Sequence, residues 1–189
     1  MLERIEVELK FPAPDLKVVE QRLLHLGASP SGARQEKDLY FAHPSRDFAV
    51  TDEALRIRHC GQSAWITYKG PKLDATTKTR REIDLPLSGG PDGFAPWTVL
   101  VEALGFRPVA EVSKRRRKAH VTWEGRDVEV SLDEVDRVGT FVELELVTGT
   151  DDVASARERI TSLAAHLGLA GSERRSYLEL LLANPSPTT

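Results

Sequence analysis

Cysteine is almost absent from this 189-residue sequence, in which Cys60 is the only one. A single cysteine excludes an internal disulfide framework and a cysteine-rich zinc site. No stretch approaches the roughly 20 consecutive apolar residues that a membrane-spanning helix needs, and no apolar run of the signal-peptide type follows the opening Met1–Arg4. The sequence therefore predicts a cytoplasmic protein in a reducing compartment.

An excess of positive charge is also missing, because the formal net charge is -3. Bulk charge thus gives no reason to expect a nucleic-acid partner. The basic run Ser113–Lys118 is compact, but few aromatic residues accompany it, and stacking on bases requires them. The five histidines are scattered along the chain, which disfavours a histidine metal site. We predict neither a nucleic-acid nor a membrane partner.

The sequence contains 40% hydrophobic and 29% charged residues, which is ordinary for a globular protein. Repeats and low-complexity linkers are absent from it, so we predict one domain over residues 1–183 and a disordered tail over residues 184–189. Apolar spacing near the helical period predicts helices at Asp15–Leu26, Phe94–Leu104, Asp151–Leu167 and Glu173–Leu182. The first three end in a Leu-Gly pair, which is typical of a left-handed glycine cap.

Between these helices, apolar and polar residues alternate with the period of two that indicates β-strands. The alternation runs through Ile5–Phe11, Leu55–Arg58, Ile66–Lys69, Glu82–Leu85, Val128–Asp133 and Val142–Leu146, with a further strand from Lys114 to Trp123. The short, turn-rich connections favour antiparallel pairing. The predicted fold class is α+β.

The polar faces of these strands carry full charges almost everywhere, where Thr, Ser and Gln are usual. These charges are Glu6, Glu8, Lys10, Arg56, Arg58, Lys69, Arg80, Glu82, Asp84, Lys114, Arg116, Glu129, Asp133, Glu143 and Glu145. An amphipathic sheet whose charged face meets water explains one such strand. Six or seven of them favour a sheet that closes into a β-barrel with a charged lumen and helices packed on its apolar exterior.

A lumen with charges of both signs needs a ligand that compensates both, because unpaired buried charge is costly. A polyphosphate with a divalent cation has this property: Lys and Arg bind phosphate oxygens, whereas carboxylates bind Mg²⁺ or Mn²⁺. Two carboxylates at positions i and i+2 of a strand lie on one face, about 7 Å apart along the chain. The pairs Glu6/Glu8 and Glu143/Glu145 have this spacing.

The N-terminal segment Glu6-x-Glu8-x-Lys10 resembles the ExExK signature of the CYTH superfamily, the triphosphate tunnel metalloenzymes. This superfamily includes class IV adenylyl cyclases, thiamine triphosphatases and inorganic triphosphatases. Further segments resemble the family in the same order along nearly the whole chain. They are Gln35–Phe41, Thr51–Arg58, Thr67–Pro71, Lys78–Glu82, Ser113–Arg116, Leu132–Asp133, Gly139–Glu145 and Ser176–Leu181.

The resemblance implies an eight-stranded antiparallel tunnel with helices outside. It also implies that Glu6, Glu8, Glu143 and Glu145 are ligands of Mg²⁺ or Mn²⁺, with Asp133 as a helper. The implied triphosphate-binding residues are Lys10, Arg56, Arg58, Lys69, Arg80, Lys114 and Arg116. Because successive residues of a strand face opposite sides, Arg115 and Arg117 then point out of the tunnel. A shift of one residue in the register would place Arg81 in the lumen instead of Arg80. Lys10 and Glu82 are the catalytic candidates, with a metal-bound hydroxide as an alternative to Glu82 for the base.

Within the family, the segments His43–Phe48, Thr67–Lys72 and Ser176–Tyr177 look most similar to the class IV cyclase branch. This implies conversion of ATP to cyclic AMP and pyrophosphate, and the cyclase relatives imply a homodimer. The alternatives are an inorganic triphosphatase or a thiamine triphosphatase, which would direct water at the terminal phosphorus of tripolyphosphate or thiamine triphosphate. A non-catalytic module that binds a nucleotide or polyphosphate is the lesser alternative.

Overall fold

The computed structural model describes residues 5–72, 80–88, 94–149 and 152–184. Eight antiparallel strands form a closed barrel in the order β1-β5-β4-β3-β2-β6-β7-β8, which confirms the predicted fold class. The strands are β1 (Ile5–Pro12), β2 (Arg34–Ala42), β3 (Ala54–Cys60), β4 (Ser63–Lys69), β5 (Arg80–Leu87), β6 (Arg107–Trp123), β7 (Arg126–Val135) and β8 (Gly139–Thr148).

Five helices accompany the barrel in the described part of the chain: α1 (Leu16–His25), α2 (Phe48–Thr51), α3 (Phe94–Ala103), α4 (Val153–His166) and α5 (Tyr177–Ala183). The predicted helices α1, α3 and α4 are confirmed, and a glycine with positive φ follows each of them, at Gly27, Gly105 and Gly168. Asp151, the predicted start of α4, lies outside the described residues, as does the predicted tail beyond Asn184.

Helix α5 begins four residues later than the predicted start at Glu173. Ser176 accepts a hydrogen bond from the Glu179 amide, and the Glu179 side chain accepts one from the Ser176 amide. This capping box satisfies the backbone donors that open the helix and so fixes its first turn. The single turn α2 was not predicted; Asp47 caps it and Asp52 ends it with a φ of 55°.

Two strands differ from the sequence prediction. Strand β2 was not predicted, because charged and polar residues occupy both of its faces from Arg34 to Asp38 and hide the period of two. Strand β6 begins at Arg107, seven residues before the predicted start at Lys114, since its first half pairs with β2. Together these strands complete the barrel between β3 and β7.

The register of the barrel turns the charged faces inward, as predicted. Strand β1 pairs with β8 along its whole length, so that Glu8 lies directly opposite Glu145 and Lys10 opposite Glu143. Strand β5 closes the barrel on the other side of β1 through Glu6 opposite Arg80. Segments from the two ends of the chain thus form one continuous wall.

The apolar core lies mainly outside the barrel. One cluster joins the outer faces of β1, β7 and β8 to α1 and α4, with Val7, Leu23, Leu144, Ile160 and Leu163 fully buried. A smaller cluster packs α3 over β3 around Ile57 and Val101. None of the described helices combines the length and apolar character needed to cross a bilayer.

Helix α5 departs from the predicted arrangement in which all helices lie outside the barrel. Its Tyr177, Leu180 and Leu181 pack against Tyr40, Val112, Val135 and Phe141, which share the inward strand face. The helix therefore covers part of one end of the lumen. The apolar face of α5 finds partners in the lumen because the inward-facing residues at that end of the strands are apolar rather than charged.

Adjacent leucines on α1 provide a test of this core. Leu23 is fully buried, whereas the side chain of Leu24 is 45% exposed. We expect Leu23→Ala to lower the free energy of unfolding by about 2–5 kcal/mol, because it opens a cavity in a packed cluster. Leu24→Ala should change it by less than about 1 kcal/mol. Urea denaturation of both variants measures the difference, and equal losses would contradict the placement of α1.

Candidate active site

The lumen contains a cavity of about 800 Å³. Most of the site residues predicted from the sequence line it, which brings together side chains from six strands. They are Glu6, Glu8, Arg56, Arg58, Lys69, Arg80, Glu82, Lys114, Arg116, Glu143 and Glu145. Arg80 is buried and lines the cavity while Arg81 is exposed, so the register follows the prediction.

Two predicted site residues lie beside the cavity rather than on its surface. The Lys10 ammonium group donates to the backbone carbonyl of Arg175 and lies 4.1 Å from the centroid of the Tyr177 ring. Asp133 is fully buried and accepts hydrogen bonds from Arg116 and from the Tyr177 hydroxyl, the latter at 2.7 Å. In this geometry both side chains tie α5 to the barrel.

Carboxylates dominate the wall formed by β1, β8 and β7, which we call the acidic wall; its members are Glu6, Glu8, Glu129, Glu143 and Glu145. Glu145 lies opposite Glu8 on one side and opposite Glu129 on the other. Burial raises the pKa of Glu145 to about 7, and the charges of Glu129 and Glu8 add to the rise. Burial also raises the pKa of Glu6 well above its ordinary value.

Some members of the acidic wall have cationic partners. Glu143 accepts a hydrogen bond from Arg116 at 2.5 Å, and Glu129 accepts one from Lys118. Among the residues that the structure describes, no three His, Cys, Asp or Glu side chains converge into a compact metal-binding cluster. Burial is the main reason that the pKa values of Glu6 and Glu145 are raised, and neighbouring carboxylates add to both rises. Oxygen donors with surplus negative charge suit Mg²⁺ or Mn²⁺, so the chemistry of this wall fits such an ion.

Arginine and lysine dominate the wall formed by β3 and β6, which we call the basic wall; its members are Arg56, Arg58, Lys114 and Arg116. Each is held by a buried carboxylate from a neighbouring strand. Asp133 binds Arg116 through both oxygens, and Asp38 binds the other three. This arrangement presents several fixed cations to one cavity.

Strands β4 and β5 join the two walls. The Lys69 ammonium group donates to Glu82, and the Arg80 guanidinium group lies 3.5 Å from the carbonyl of Gly70. Burial opposes ionisation of Glu82, but Lys69 and Arg56 outweigh it and lower the pKa of that carboxyl. While it is paired in this way, Glu82 is a weak base.

Sequence reasoning missed the partners of these side chains. Glu36 and Asp38 on β2 are 0% and 1% exposed, and Tyr177 binds Asp133 from α5. Asp38 belongs to one of the segments that carry the family resemblance, but charged and polar residues on both faces of β2 hide the side of the strand that faces the lumen. The position of Tyr177 depends on how α5 docks, and no local pattern in the sequence encodes that.

One mouth of the cavity has a mixed polar and apolar lining. It is formed by α2, the start of β6 and α5, which contribute Arg46, Phe48, Arg107, Val109 and Leu178. The side chain of Glu53 holds Arg46 at 2.9 Å and also accepts a hydrogen bond from the Tyr68 hydroxyl at 2.9 Å. The mouth therefore differs in character from the charged centre of the lumen.

A closed eight-stranded antiparallel barrel with opposed acidic and basic walls in its lumen defines the class of triphosphate tunnel proteins. The comparison with known families agrees, since the CYTH domain matches residues 4–177. This chain belongs to the CYTH domain family.

Individual relatives cover almost the whole chain. It is 34% identical over 179 residues to "Putative adenylate cyclase MJ0240" of Methanocaldococcus jannaschii, a match that spans 93% of this chain and 98% of the relative. The solved structure of the PH1819 protein from Pyrococcus horikoshii OT3 is 38% identical and superposes with a TM-score of 0.83, covering 95% of this chain and 99% of that one. A protein of Pyrococcus horikoshii OT3 called PH1012 is 27% identical with a TM-score of 0.76, covering 93% and 98% of the two chains.

The charge of Glu145 should destabilise the metal-free protein. Since burial raises its folded-state pKa from 4.5 to about 7, the associated stability is present below about pH 4.5 and is lost as the pH rises through about 7. At about pH 8 we expect Glu145→Gln to raise the free energy of unfolding by on the order of 1 kcal/mol. At about pH 4, below the unfolded-state pKa of 4.5, Glu145 is mostly protonated in both the folded and the unfolded protein, and the difference should nearly vanish.

Urea denaturation in the presence of EDTA at both pH values measures this effect. Glu134→Gln is the matched control, because Glu134 lies on the outer face of β7 with a side chain that is 46% exposed. A wild type and Glu145→Gln variant of equal stability at both pH values would contradict the presence of uncompensated charge in the acidic wall.

Proposed function

We propose that this protein is a metal-dependent enzyme that acts on a triphosphate held in the barrel, and that its reaction is the conversion of ATP to cyclic AMP and pyrophosphate. The opposition of an acidic wall to a basic wall across one cavity supports the proposal most directly. A triphosphate complexed with a divalent cation has matching charges of both signs. Without such a ligand, the lumen holds several carboxylates close together on one wall and several cations close together on the other.

Glu6, Glu8, Glu143 and Glu145 are the residues that we assign to Mg²⁺ or Mn²⁺. When bound, such an ion neutralises charge on the phosphate oxygens and holds them in place. Asp133 contributes indirectly, since both its oxygens bind Arg116. We therefore assign it to positioning Arg116 rather than to the metal itself.

The basic wall, together with Lys69 and Arg80, is assigned to the phosphate groups. Arg and Lys in a confined, low-dielectric space stabilise the negative charge that develops on phosphate oxygens during transfer. Because carboxylates already fix these cations, the site spends little energy on reorganisation when the substrate binds. Lys10 supports this geometry through its contacts with α5.

Glu82 is the side chain that we assign to accept a proton. In the structure Lys69 donates to it and keeps its pKa low. A phosphate oxygen that takes over the Lys69 ammonium group would remove this partner and raise the pKa of Glu82. Substrate binding would thus create the base at the moment when the hydroxyl to be deprotonated is present.

A nucleotide is favoured over an inorganic substrate by the size and lining of the cavity. Its volume of about 800 Å³ lies in the upper part of the range of small-molecule sites, roughly 300–1,000 Å³. Phe48, Val109 and Leu178 at the mouth offer apolar surface to an organic group next to the charged centre. The relative named as an adenylate cyclase supports the same choice.

Product analysis distinguishes cyclisation from hydrolysis. We expect cyclic AMP and pyrophosphate when the purified protein is incubated with ATP and Mg²⁺ or Mn²⁺, and no turnover in EDTA. Release of phosphate from ATP, tripolyphosphate or thiamine triphosphate without cyclic AMP would replace the cyclase proposal with a triphosphatase. Binding of these compounds without turnover would leave a non-catalytic module.

Glu8 tests the metal assignment. Glu8→Gln should abolish metal-dependent turnover while the protein stays folded, because the amide keeps the shape of the carboxylate but loses its charge. Circular dichroism checks the fold, and product release measures turnover. Undiminished activity of the folded variant would contradict the assignment.

Two arginines test the phosphate assignment. Arg58→Ala should weaken tripolyphosphate binding about 10- to 100-fold, the equivalent of a lost charge-assisted hydrogen bond or two. Arg115→Ala is the matched control, because that side chain is 57% exposed and pairs with Glu134 on the outside. Calorimetric titration in Mg²⁺ measures both affinities, and equal binding by the two variants would show that Arg58 does not face the ligand.

A further inference from the structure

Strand β2 contributes two carboxylates that the proposed reaction does not use. Glu36 and Asp38 point into the barrel interior and are 0% and 1% exposed. They lie within the basic wall, because β2 is placed between β3 and β6 in the barrel and is not adjacent to β1 or β8. Buried carboxylates are rare unless they are paired, so their partners indicate their role.

Asp38 binds three cations of the basic wall at once. Arg58 donates to it through Nε at 2.6 Å and through Nη2 at 2.8 Å. Lys114 donates at 2.7 Å and Arg56 at 3.3 Å. One carboxylate thus sets the mutual positions of side chains from two strands.

Glu36 provides a second, weaker support. Its Oε2 lies 3.3 Å from the Lys114 ammonium group and 3.4 Å from the Arg58 guanidinium group. The same oxygen is buried and accepts no hydrogen bond from the described residues, whereas Oε1 accepts one from Arg34 at 2.7 Å. Glu36 therefore contributes mainly negative charge near Lys114 and Arg58, and it does less than Asp38 to fix the positions of these side chains.

The protonated state of Lys114 depends on this negative charge. Its side chain is 1% exposed, and burial lowers its pKa to about 8 although Asp38 and Glu36 act in the opposite direction. Arg58 and Arg116 repel the ammonium charge. Without the carboxylates on β2, an ammonium group at this position would be close to like charges in a confined space, which favours loss of its proton.

We propose that Asp38, with the support of Glu36, is a positioning residue that keeps Lys114 protonated and holds it with Arg56 and Arg58 in the geometry that binds phosphate. This inference rests on the proposed function of the site. Asp38 does not contact substrate in this account and is not a metal ligand. It acts through the cations that it binds.

If Asp38 keeps Lys114 protonated, the effect of losing Asp38 on phosphate binding should depend on pH. The charged groups facing Lys114 are Asp38 and Glu36 from β2, Arg58 from β3 and Arg116 from β6, while the Tyr177 ring of α5 lies 6.0 Å away. Removal of the Asp38 charge should lower the pKa of Lys114 below about 8, because one attractive partner is lost and the repulsive ones remain. Phosphate binding should then weaken progressively as the pH rises.

The experiment is calorimetric titration of inorganic tripolyphosphate into wild type and Asp38→Asn, both in Mg²⁺, at about pH 6 and about pH 8. We expect Asp38→Asn to lose affinity at both values, with a loss at least about fivefold larger at the higher pH. The ratio to wild type removes the pH dependence of the ligand itself. Glu111→Gln, on the exposed outer face of β6 with a side chain 45% exposed, is the matched control and should bind like wild type.

A loss of equal size at both pH values would indicate a purely structural role and overturn the inference. When Lys114→Met is added to Asp38→Asn, the extra loss of affinity at the higher pH should disappear. If that extra loss persists in the double variant, the inference is likewise overturned. If Asp38→Asn does not fold, Glu36→Gln takes its place. We then expect a smaller loss of tripolyphosphate affinity that again grows with pH, and the absence of any such loss would contradict the proposal. Failure of the wild type to bind tripolyphosphate or ATP would instead overturn the proposed function, and the inference with it.

Discussion

Charges of both signs face each other inside a closed barrel, and the remaining features of the structure follow from how they are compensated. Burial of an unpaired charge is costly, and each cation of the basic wall is accordingly held by a buried carboxylate. Asp38 and Asp133 provide this support for Arg58 and Arg116. The apolar residues that would fill the interior of an ordinary small barrel lie outside instead, under α1 and α4. The fold is thus built around a polar interior that stays open enough to admit a ligand.

Separation of the charges is a consequence of topology. Strands β1 and β8 come from opposite ends of the chain and pair along their full length, which concentrates carboxylates on one side. Strands β3 and β6 supply the cations on another side, and β4 and β5 join the walls through the Lys69–Glu82 pair. Carboxylates are in surplus in the acidic wall, and burial, with a smaller contribution from neighbouring carboxylates, raises the pKa values of Glu6 and Glu145. This surplus is unfavourable for the protein alone and would become favourable if a cation bound as proposed, which is how functional sites commonly trade stability for activity.

Much of the sequence prediction depends on the alternation of inward- and outward-facing residues along each strand. Alternation of charged and apolar residues determined which side of each strand faces the lumen, and it separated Arg80 from Arg81 correctly. It failed on β2, where charges occupy both faces, and the support given by Asp38 was therefore missed. Lys10 and Asp133 have the predicted parity, yet they contact α5 at the covered end of the lumen. Where a helix docks is decided by tertiary packing, which local periodicity does not encode.

Metal and triphosphate should bind to this site cooperatively, because the two walls would compensate charges of opposite sign across one cavity. Two ligands that stabilise each other must raise each other's affinity by the same factor. The most direct measurement is therefore a calorimetric titration of a non-hydrolysable ATP analogue into the protein with Mg²⁺ and with EDTA, repeated in Glu8→Gln. We expect Mg²⁺ to strengthen binding at least about tenfold in the wild type, and we expect this gain to be lost in the variant. Equal affinity with and without Mg²⁺, in a protein that binds the analogue, would contradict it.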